Sequence, residues 1–286
     1  MTGETQTNLQ ATRDRNGRLS LRSFPWWLVA IIGFLLLMLL LIATNEAYNR
    51  AFNFIKGSFG GIAGFQEGGW AGFVGTGIAV TIYTTLTAFA IALVIGLLAG
   101  LGRVSGNVFI RNIAITYIEF IRGVPTLVLI FTMALVLVPA VTEAVGIPNS
   151  LVSLNTRGII ALAIIYGAFL AEVFRAGIES VPHGQTEAAR SLGLNGRQAM
   201  RHVVLPQAIR NVLPALGNDF IAMLKDSSLI SVLAVRDITQ MARLYSGSTF
   251  RFRESYLVLT FLYLSMTIAL SLLLRWYEKR LRQNAR

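Results

Sequence analysis

The sequence predicts an all-α integral membrane protein, and three observations support that prediction. Of the 286 residues, 54% are hydrophobic and 14% are charged, whereas a soluble domain has roughly 25% charged residues. The segments 76–102 and 255–274 are 27 and 20 residues long and contain no Asp, Glu, Lys or Arg. About 20 apolar residues suffice to cross a hydrocarbon core as a helix. Both segments are apolar on every side, which argues against the amphipathic helices of a soluble core.

The hydropathy pattern predicts six transmembrane helices, at about residues 26–44, 76–102, 112–138, 158–178, 211–235 and 255–275. The first span follows four arginines and starts with Trp26 and Trp27, which suit a membrane interface. We expect it to remain uncleaved, because it is long for a signal peptide and no A-x-A site follows. Residues 45–75 are rich in glycine, which disfavours a stable helix. We interpret them as an external loop, with a short helix on the membrane surface as the alternative.

The distribution of basic residues orients these spans. With the N-terminus inside, sixteen of the 25 basic residues lie in inner segments or at the inner ends of spans, seven in outer segments and two deeper within spans. This excess fits the positive-inside rule, with both termini in the cytoplasm. The net charge of +11 is therefore a topology signal and does not require a nucleic-acid partner. The exception is the last outer loop, where four basic residues face two acids.

Several classes of chemistry are excluded by composition and spacing. The chain has no Cys, so it has neither a thiolate metal site nor a cysteine nucleophile. His183 and His202 lack the short spacing of a zinc site. Neither a GxxxxGK[ST] phosphate loop nor a GxSxG elbow occurs. We therefore expect no cofactor, metal or catalytic residue on this chain, and a membrane-embedded hydrolase lacks an assembled nucleophile and base.

A polar segment after the fourth span is the most informative part of the sequence. Residues 184–206 read GQTEAARSLGLNGRQAMRHVVLP. The pattern EAA, three residues, Gly, nine residues, then V-V-L-P resembles the EAA signature of ABC importer permeases, with Val203 in place of Ile. Four further stretches resemble the polar amino-acid branch of that family, namely IRGVP at 121–125, AEVFRAG at 171–177, GQ at 184–185 and KDSSL at 225–229. The resemblance covers about residues 70–280.

The resemblance implies a type I importer, with a permease core of five spans and one additional N-terminal helix. Its parts would be a cytoplasmic tail (1–25), the first span and external loop (26–75), the core (76–275) and a basic cytoplasmic tail (276–286). The EAA loop, at about 184–206, would form a short cytoplasmic coupling helix seated in a partner ATPase, and we expect Gly193 to end this helix in a left-handed turn. The coupling residues implied are Gln185, Glu187, Ala188, Ala189, Gly193, Leu205 and Pro206.

The same resemblance implies the partners and the cofactors. Two permease subunits, identical or related, form the pathway in the bacterial inner membrane, and the partners include membrane lipid. A cytoplasmic ATPase dimer binds ATP and Mg, and an extracytoplasmic binding protein delivers the amino acid. This chain would therefore not be an enzyme itself, which agrees with its lack of a phosphate loop.

Charged residues within the spans are candidates for the substrate pathway. A charge at the helix centre costs about 2.5–3.5 kcal/mol on insertion scales, so it faces the bundle interior or a water-filled cavity. Glu119 with Arg122, and Glu172 with Arg175, are spaced i,i+3 and can pair on one helix face. Such pairs are either structural, each neutralising its partner, or part of the pathway wall.

Two backbone breaks add further candidates. Pro125, just after Gly123, removes a backbone donor and should kink or unwind the third span. A polar break at Lys225 and Asp226 interrupts the fifth span, and adjacent helical residues point to different partners. The two breaks together could bind the carboxylate and the ammonium of an amino acid. The pathway candidates are Glu119, Arg122, Gly123, Pro125, Thr126, Glu172, Lys225, Asp226, Ser227 and Ser228.

The function predicted from the sequence is a permease subunit of an ABC importer for polar L-amino acids. The alternative is an ATP-independent secondary transporter, in which charges and broken helices are also expected. Inverted repeats would favour that alternative, and the only repeat that we find within the predicted spans is the short pattern E-x-x-R, at residues 119–122 and 172–175. The sequence does not specify which amino acid is moved or whether the second permease is identical.

The predicted orientation leads to a direct test. Reporters fused after Gln10 and after Gln283 should both report the cytoplasm, because inner segments carry most basic residues. A reporter inserted between residues 57 and 69 should report the outside. Termini on opposite sides of the membrane would mean an odd number of spans and would overturn the layout.

Overall fold

The computed structural model describes residues 26–60 and 74–283, with side chains up to residue 280. The predictions for the tail 1–25, for residues 61–73 of the glycine-rich loop and for the last three residues lie outside this range. The described chain is built from helices joined by short turns, and its β structure is one isolated bridge, between Gly77 and Asp237. It divides into two compact units, the first ending at Arg50 and the second beginning at Ala51.

Eleven α-helices form the described part of the chain. They are α1 (Trp26–Thr44), α2 (Glu46–Ile55), α3 (Ile78–Arg103), α4 (Val108–Gly123), α5 (Thr126–Ala144), α6 (Leu154–Glu179), α7 (His183–Ser191), α8 (Gly196–Ala199), α9 (Leu205–Asp226), α10 (Ile238–Thr249) and α11 (Phe252–Gln283). A π-turn (Thr132–Leu137) lies within α5 and another (Met200–Val204) joins α8 to α9. Two 3₁₀ turns, Asn149–Leu151 and Ser227–Leu233, precede α6 and follow α9.

Five of the described helices are long and apolar enough to cross a membrane: α1, α3, α5, α6 and α11. The all-α membrane fold is therefore confirmed, and α1 has the predicted bounds. Helix α2 shows that residues 46–55 are helical, which is the alternative considered for the loop 45–75. The last helix continues without a break through the predicted basic tail to Gln283.

The third predicted span, 112–138, is wrong as one continuous helix. Helix α4 ends at Gly123, Val124 is extended with φ −112° and ψ 138°, and Pro125 caps the start of α5. The proline has no N–H for a helical hydrogen bond, and its ring disfavours a helical conformation for Val124. The unwinding predicted at Pro125 therefore occurs, and it divides the segment into α4 and a separate apolar helix, α5.

The fifth predicted span, 211–235, corresponds to α9 and the 3₁₀ turn after it, and α9 is not among the five apolar helices. Its sequence explains this result. Asn211, Asn218 and Lys225 recur every seventh residue, so they lie on one face, and all three are exposed. A helix with such a stripe is amphipathic and too polar to face lipid all round. The six-span layout accordingly stays a prediction.

The centre of the fold is the contact between α3 and α6, whose backbones approach closely. A Cβ at Gly96 would lie 2.6 Å from the Cβ of Leu170, and one at Gly100 would lie 2.9 Å from the carbonyl oxygen of Ala171. Real Cβ atoms do not approach other atoms this closely. Small residues spaced four apart allow such packing between membrane helices, where dispersion and not the hydrophobic effect drives association. The glycines of α3 thereby fix its distance from α6.

We predict that Gly96→Ala and Gly100→Ala each destabilise the folded protein by about 1–3 kcal/mol, because the added methyl overpacks the α3–α6 contact. The matched control is Gly33→Ala in α1, where an added Cβ meets nothing within 4 Å. Thermal unfolding of detergent-purified protein should show a lower Tm for the two α3 variants and an unchanged or higher Tm for the control. Equal Tm values for all three variants would contradict the packing argument.

Candidate functional site

The segment that resembles the EAA loop forms a helix, a tight turn and a second short helix. Helix α7 starts after Pro182 and ends in a turn at Gly193, which has φ +87°. There the N–H of Leu194 donates to the carbonyl of Ala189 and the N–H of Gly193 donates to the carbonyl of Arg190. These two hydrogen bonds are those of a Schellman motif, which favours glycine at the left-handed position. The helix therefore ends at Gly193 as the sequence predicts.

The chain after this turn is fixed by a second local motif. Asn195 caps α8 in a capping box. The N–H of Gln198 donates to the Asn195 side chain, and the N–H of Asn195 donates to the Gln198 side chain, both at 2.9 Å. The last two predicted coupling residues in the sequence, Leu205 and Pro206, lie in the first turn of α9. Leu205 is half-buried and Pro206 is exposed. A π-turn precedes them. In a regular α-helix the ring of Pro206 would clash with the carbonyl oxygen four residues earlier, and the π-turn lies at that point. Both residues therefore belong to the base of α9, several residues beyond α7.

The exposed face of α7 differs in two residues from the predicted set. Gln185, Glu187 and Ala188 are exposed, as a docking surface requires. Ala189 is 4% exposed and packs inside the chain, so it is not available to a partner. Leu192 is 85% exposed and lies four residues after Ala188, on the same face. An apolar side chain in a polar segment was the sequence signal for Leu192, and we did not predict it.

Helix α7 is attached to the two helices on either side of it in sequence. A small apolar cluster of Ile178, Val181, Val204 and Ala208 joins the end of α6 to the start of α9. The amide of Asn211 donates to the Ser180 hydroxyl at 2.9 Å. A Cβ at Gly177 would lie 2.0 Å from Val212. This contact, which we call the α6–α9 clamp, holds both ends of the segment that carries α7.

An ion network of five residues lies near the same end of the helices, and three of the charges discussed above belong to it. Arg175 contacts Glu172 at 3.0 Å, so the predicted i,i+3 pair on α6 is present. Arg103 of α3 contacts Glu172 as well as Glu119 of α4, the latter at 3.4 Å, and Arg175 also contacts Glu179. The network therefore links three helices, and Glu172 lies at its centre.

The predicted pair between Glu119 and Arg122 does not form. Glu119 contacts Arg103, and Arg122 is exposed and forms no ion pair with any described residue. Spacing along one helix made the pair geometrically feasible, but an arginine from another helix reaches the carboxylate instead. Glu119 thereby joins the structural network, while Arg122 points away from it at the end of α4.

The two backbone breaks come together in the fold. The 3₁₀ turn that starts at Ser227 packs against the first turns of α5, directly after the break at Pro125. Arg122, Gly123 and Pro125 are exposed and Thr126 is half-buried. Irregular backbone at membrane depth is tolerated where it is covered by protein or lines an aqueous cavity. Two separately predicted features thus form one region of the subunit.

The residues of the second break have different environments. Lys225 is exposed, whereas the carboxylate of Asp226 accepts a 2.8 Å hydrogen bond from the hydroxyl of Tyr166 on α6. Ser227 is buried and donates to the carbonyl of Leu224 at 2.7 Å, and Ser228 is half-buried. The neighbouring residues Lys225 and Asp226 therefore have different surroundings, as their helical spacing predicts.

Sequence reasoning did not select two residues beside this break. Tyr166 is 4% exposed within an apolar helix, and a buried tyrosine hydroxyl usually finds a partner. Asp219 lies two turns before Asp226 on α9, and its Oδ2 atom is buried without a hydrogen-bond partner among the described residues. A buried carboxylate oxygen without a donor is costly. The signal for Asp219 was its seven-residue spacing from Asp226.

Comparisons with known proteins place this arrangement in a family. The chain is 39% identical over 208 residues to the "Probable glutamine ABC transporter permease protein GlnM" of Bacillus subtilis, covering 71% of this chain and 92% of that protein. It is 34% identical over 206 residues to the "Glutamine transport system permease protein GlnP" of Escherichia coli, covering 72% and 91%.

A solved structure is similar to this chain as well. The structure described as "Crystal structure of an amino acid ABC transporter with histidines" is 40% identical, with a TM-score of 0.64, and covers 71% of this chain and 92% of that chain. The sequence profile described as "Binding-protein-dependent transport system inner membrane component" matches residues 92–283, which include both breaks and the whole EAA loop. The chain therefore belongs to the family of inner-membrane components of binding-protein-dependent transport systems.

Proposed function

We propose that this chain is the permease subunit of an ATP-binding-cassette importer for polar L-amino acids. The observation that carries the proposal is the exposed helix α7, a nine-residue polar helix that ends in a Schellman turn and lies between the clamped ends of α6 and α9. The names of its relatives, which specify glutamine and other amino acids, support the substrate class. A partner ATPase dimer would hydrolyse ATP bound with Mg, and an external binding protein would deliver the substrate.

Helix α7 is suited to transmit motion from the ATPases to the spans. Ala188 and Leu192 form a small apolar contact on its exposed face, and Glu187 can accept charge-assisted hydrogen bonds from a cleft wall. The tight turn at Gly193 and the α6–α9 clamp connect α7 firmly to α6 and α9. A displacement of α7 by closing ATPases would therefore move the inner ends of α6 and α9 together.

The substrate pathway would run along α9 and the paired breaks. Asn211 on the polar stripe contacts Ser180 in the clamp, whereas Asn218 and Lys225 are costly against lipid and would face water, substrate or a second permease subunit. Asp219 and Asp226 offer carboxylates for the substrate ammonium. Lys225 and the uncapped N-terminus of α5 offer positive charge for the substrate carboxylate. A zwitterion would thus find both of its charges matched where the two breaks meet.

The proposed subunit lies in the bacterial cytoplasmic membrane with both termini inside. Helix α9 and its 3₁₀ turn would then cross the membrane as the fifth of six spans, covered by the second permease. In this orientation α7 faces the cytoplasm, where the ATPases are. The side chains of the Arg103–Glu172 network would lie near the inner surface, where long basic side chains can reach water.

The coupling role of α7 predicts the effect of three substitutions. Glu187→Ala removes a hydrogen-bond acceptor, Ala188→Trp overpacks a fitted contact, and Gly193→Val places a β-branched residue at φ +87°. We also expect Leu192→Ala to weaken ATPase binding about ten- to 150-fold, since it removes roughly 1.5–3 kcal/mol of apolar burial. Each variant should lower uptake and substrate-stimulated ATP hydrolysis, both measured in reconstituted vesicles. A pull-down should measure ATPase binding in parallel.

Two variants serve as matched controls for this experiment. Leu151→Ala truncates a leucine that is 75% exposed at the opposite end of α6, and Gly196→Val adds the same side chain to a glycine without a positive φ or a close neighbour. Both should leave coupling intact. Normal coupling in all four α7 variants would show that this loop is a connector and nothing more.

The zwitterion site predicts a different pattern of loss. Lys225→Ala and Asp226→Ala should impair uptake while the subunit still assembles with its ATPase, because both residues lie away from α7. Asp219→Asn should raise the KM for uptake, since it removes a carboxylate that is proposed to face the substrate ammonium. Lys279→Ala, at an exposed position near the end of α11, is the control for removing a lysine. Normal transport by the Lys225 and Asp226 variants would exclude them from the pathway.

A further inference from the structure

A groove between α9 and α11, which we call the α9–α11 groove, opens on the surface of the second unit. It has a volume of about 330 Å³ and is lined by aliphatic and aromatic side chains, among them Phe220 and Ile221 of α9 and Leu273 of α11. At its base Gly217 lies against Leu274, since a Cβ on this glycine would lie 2.3 Å from the Leu274 Cδ1 atom. The two helices therefore touch at Gly217, and the groove follows this contact.

An arginine is held beside the aromatic end of this groove. Trp276 and Tyr277 line the groove on α11 and are 51% and 46% exposed. The guanidinium carbon of Arg280 lies 4.3 Å from the centroid of the Trp276 ring. Such stacking uses the face of the planar guanidinium, so the N–H groups at its edges stay available to acceptors. The groove thus has an apolar body and a cation at one end.

A second arginine lies on the α9 side of the groove. Arg210 precedes Gly217 by seven residues, so it lies on the same face of α9, about 10 Å nearer the start of that helix. The ion pairs of the described residues involve neither Arg210 nor Arg280. Glu278 precedes Arg280 by two residues and points to the other side of α11. Both arginines therefore lack an acidic partner among the described residues.

The parts of the chain beyond the described side chains do not balance this charge by composition. Residues 275–286 contain five basic residues and one acid, Glu278. Residues 1–25 contain Glu4 and Asp14 but also four arginines. The remaining acid outside the described range is Glu67, in the loop that the predicted topology places outside. The segments predicted to be cytoplasmic at both termini are therefore basic in sum.

The direction of α11 places the arginine end of the groove at the end of the fold that carries α7. Thr84 near the start of α3 donates to Asn155 in the first turn of α6 at 2.8 Å, and α7 follows the last turn of α6. The N–H of Gly77, just before α3, donates to the carbonyl of Arg236 just before α10, at 2.8 Å. Helix α11 follows α10 and has 32 residues, a length of about 48 Å. It therefore runs from the end opposite α7 towards the end that the proposed topology assigns to the cytoplasm.

The size and position of the groove select a lipid chain over a protein helix. A helix with its side chains is about 10 Å wide, so a single turn occupies about 400 Å³, which exceeds the whole groove. In addition, Gly217 and Asn218 are neighbours, so the groove lies about 100° around α9 from the polar stripe that is proposed to face the second permease. An extended hydrocarbon chain is the narrower apolar group that a membrane supplies.

The two arginines add a requirement for negative charge. Anionic lipids give the cytoplasmic leaflet its negative surface potential, and basic pockets between spans on this side bind anionic headgroups. Arginine pairs with phosphate through two parallel N–H donors. We infer that the α9–α11 groove binds an anionic phospholipid, with an acyl chain along the groove and the headgroup phosphate at Arg210 and Arg280. This lipid site goes beyond the proposed function and does not depend on which solute crosses the membrane.

The test uses the full-length subunit with Trp276 as its one tryptophan, made by Trp26→Phe, Trp27→Phe and Trp70→Phe. Nanodiscs of phosphatidylcholine receive increasing amounts of brominated phosphatidylglycerol or brominated phosphatidylcholine, since bromine quenches tryptophan fluorescence on contact. Each arginine should contribute about fivefold to the preference for the anionic lipid, which gives about 25-fold in total. Arg210→Gln and Arg280→Gln should each lower this preference about fivefold, and the double variant should abolish it.

The matched control is the double variant Arg275→Gln, Lys279→Gln, which removes two exposed cations from the same turns of α11 that do not line the groove. It should keep the full preference, with quenching in every case expressed relative to nanodiscs without bromine. A third variant, Leu273→Phe, changes a groove residue that is 59% exposed and should weaken quenching by both brominated lipids, because the larger ring fills the groove.

Three results would overturn the lipid site. Equal quenching by the two brominated lipids in the parent would show that the groove does not select an anionic headgroup. Equal loss of preference in the groove and control double variants would reduce the effect to general attraction between a basic helix end and an anionic surface. Unchanged quenching of Leu273→Phe together with a shift from dimer to monomer would assign the groove to a second copy of the chain. The measurement needs neither ATPase nor substrate, so its outcome is independent of the proposed function.

Discussion

The structure depends on the cost of exposing backbone polar groups to lipid. In the hydrocarbon core, each N–H and C=O must find a partner within the protein, so a spanning segment is a helix wherever it faces lipid. This constraint explains why the described chain is nearly all helix and why its interruptions are informative. The breaks at Pro125 and at Ser227 interrupt the regular α-helical hydrogen-bond pattern. The fold packs the segments that follow these two breaks against each other.

The same constraint separates the helices into two kinds. Helices α3 and α6 meet through glycines and small residues, so they form a fixed core in which an added methyl has no space. Helix α9 contributes few buried residues to that core and exposes a polar stripe. A mobile pathway wall needs the second kind of surface, whereas a stable subunit needs the first. The α6–α9 clamp joins them beside α7, so the helix proposed to contact the ATPases would connect the rigid part to the polar stripe.

Predictions made from local sequence were accurate where the cause was local. Gly193 ends α7 because a left-handed turn follows from the residues around it, and Pro125 breaks a helix through its own ring. Predictions that depended on neighbours from other helices were less accurate. Glu119 was assigned to Arg122 on the same helix, but Arg103 of α3 reaches it first. Ala189 looked like half of an exposed small pair, and packing within the chain buries it.

The sequence by itself determined the membrane class, the first span, the position of both breaks and the EAA segment, because these depend on composition, proline, glycine and the spacing of residues along one chain. The tertiary structure alone decided which groups meet. It brought Tyr166 to Asp226, left the Oδ2 of Asp219 without a hydrogen-bond partner among the described residues, and exposed Leu192. The physical reason is that helical periodicity fixes the direction of a side chain around its own axis. The partner it meets depends on how the helices pack, which in this subunit is set by the glycine contacts between α3 and α6.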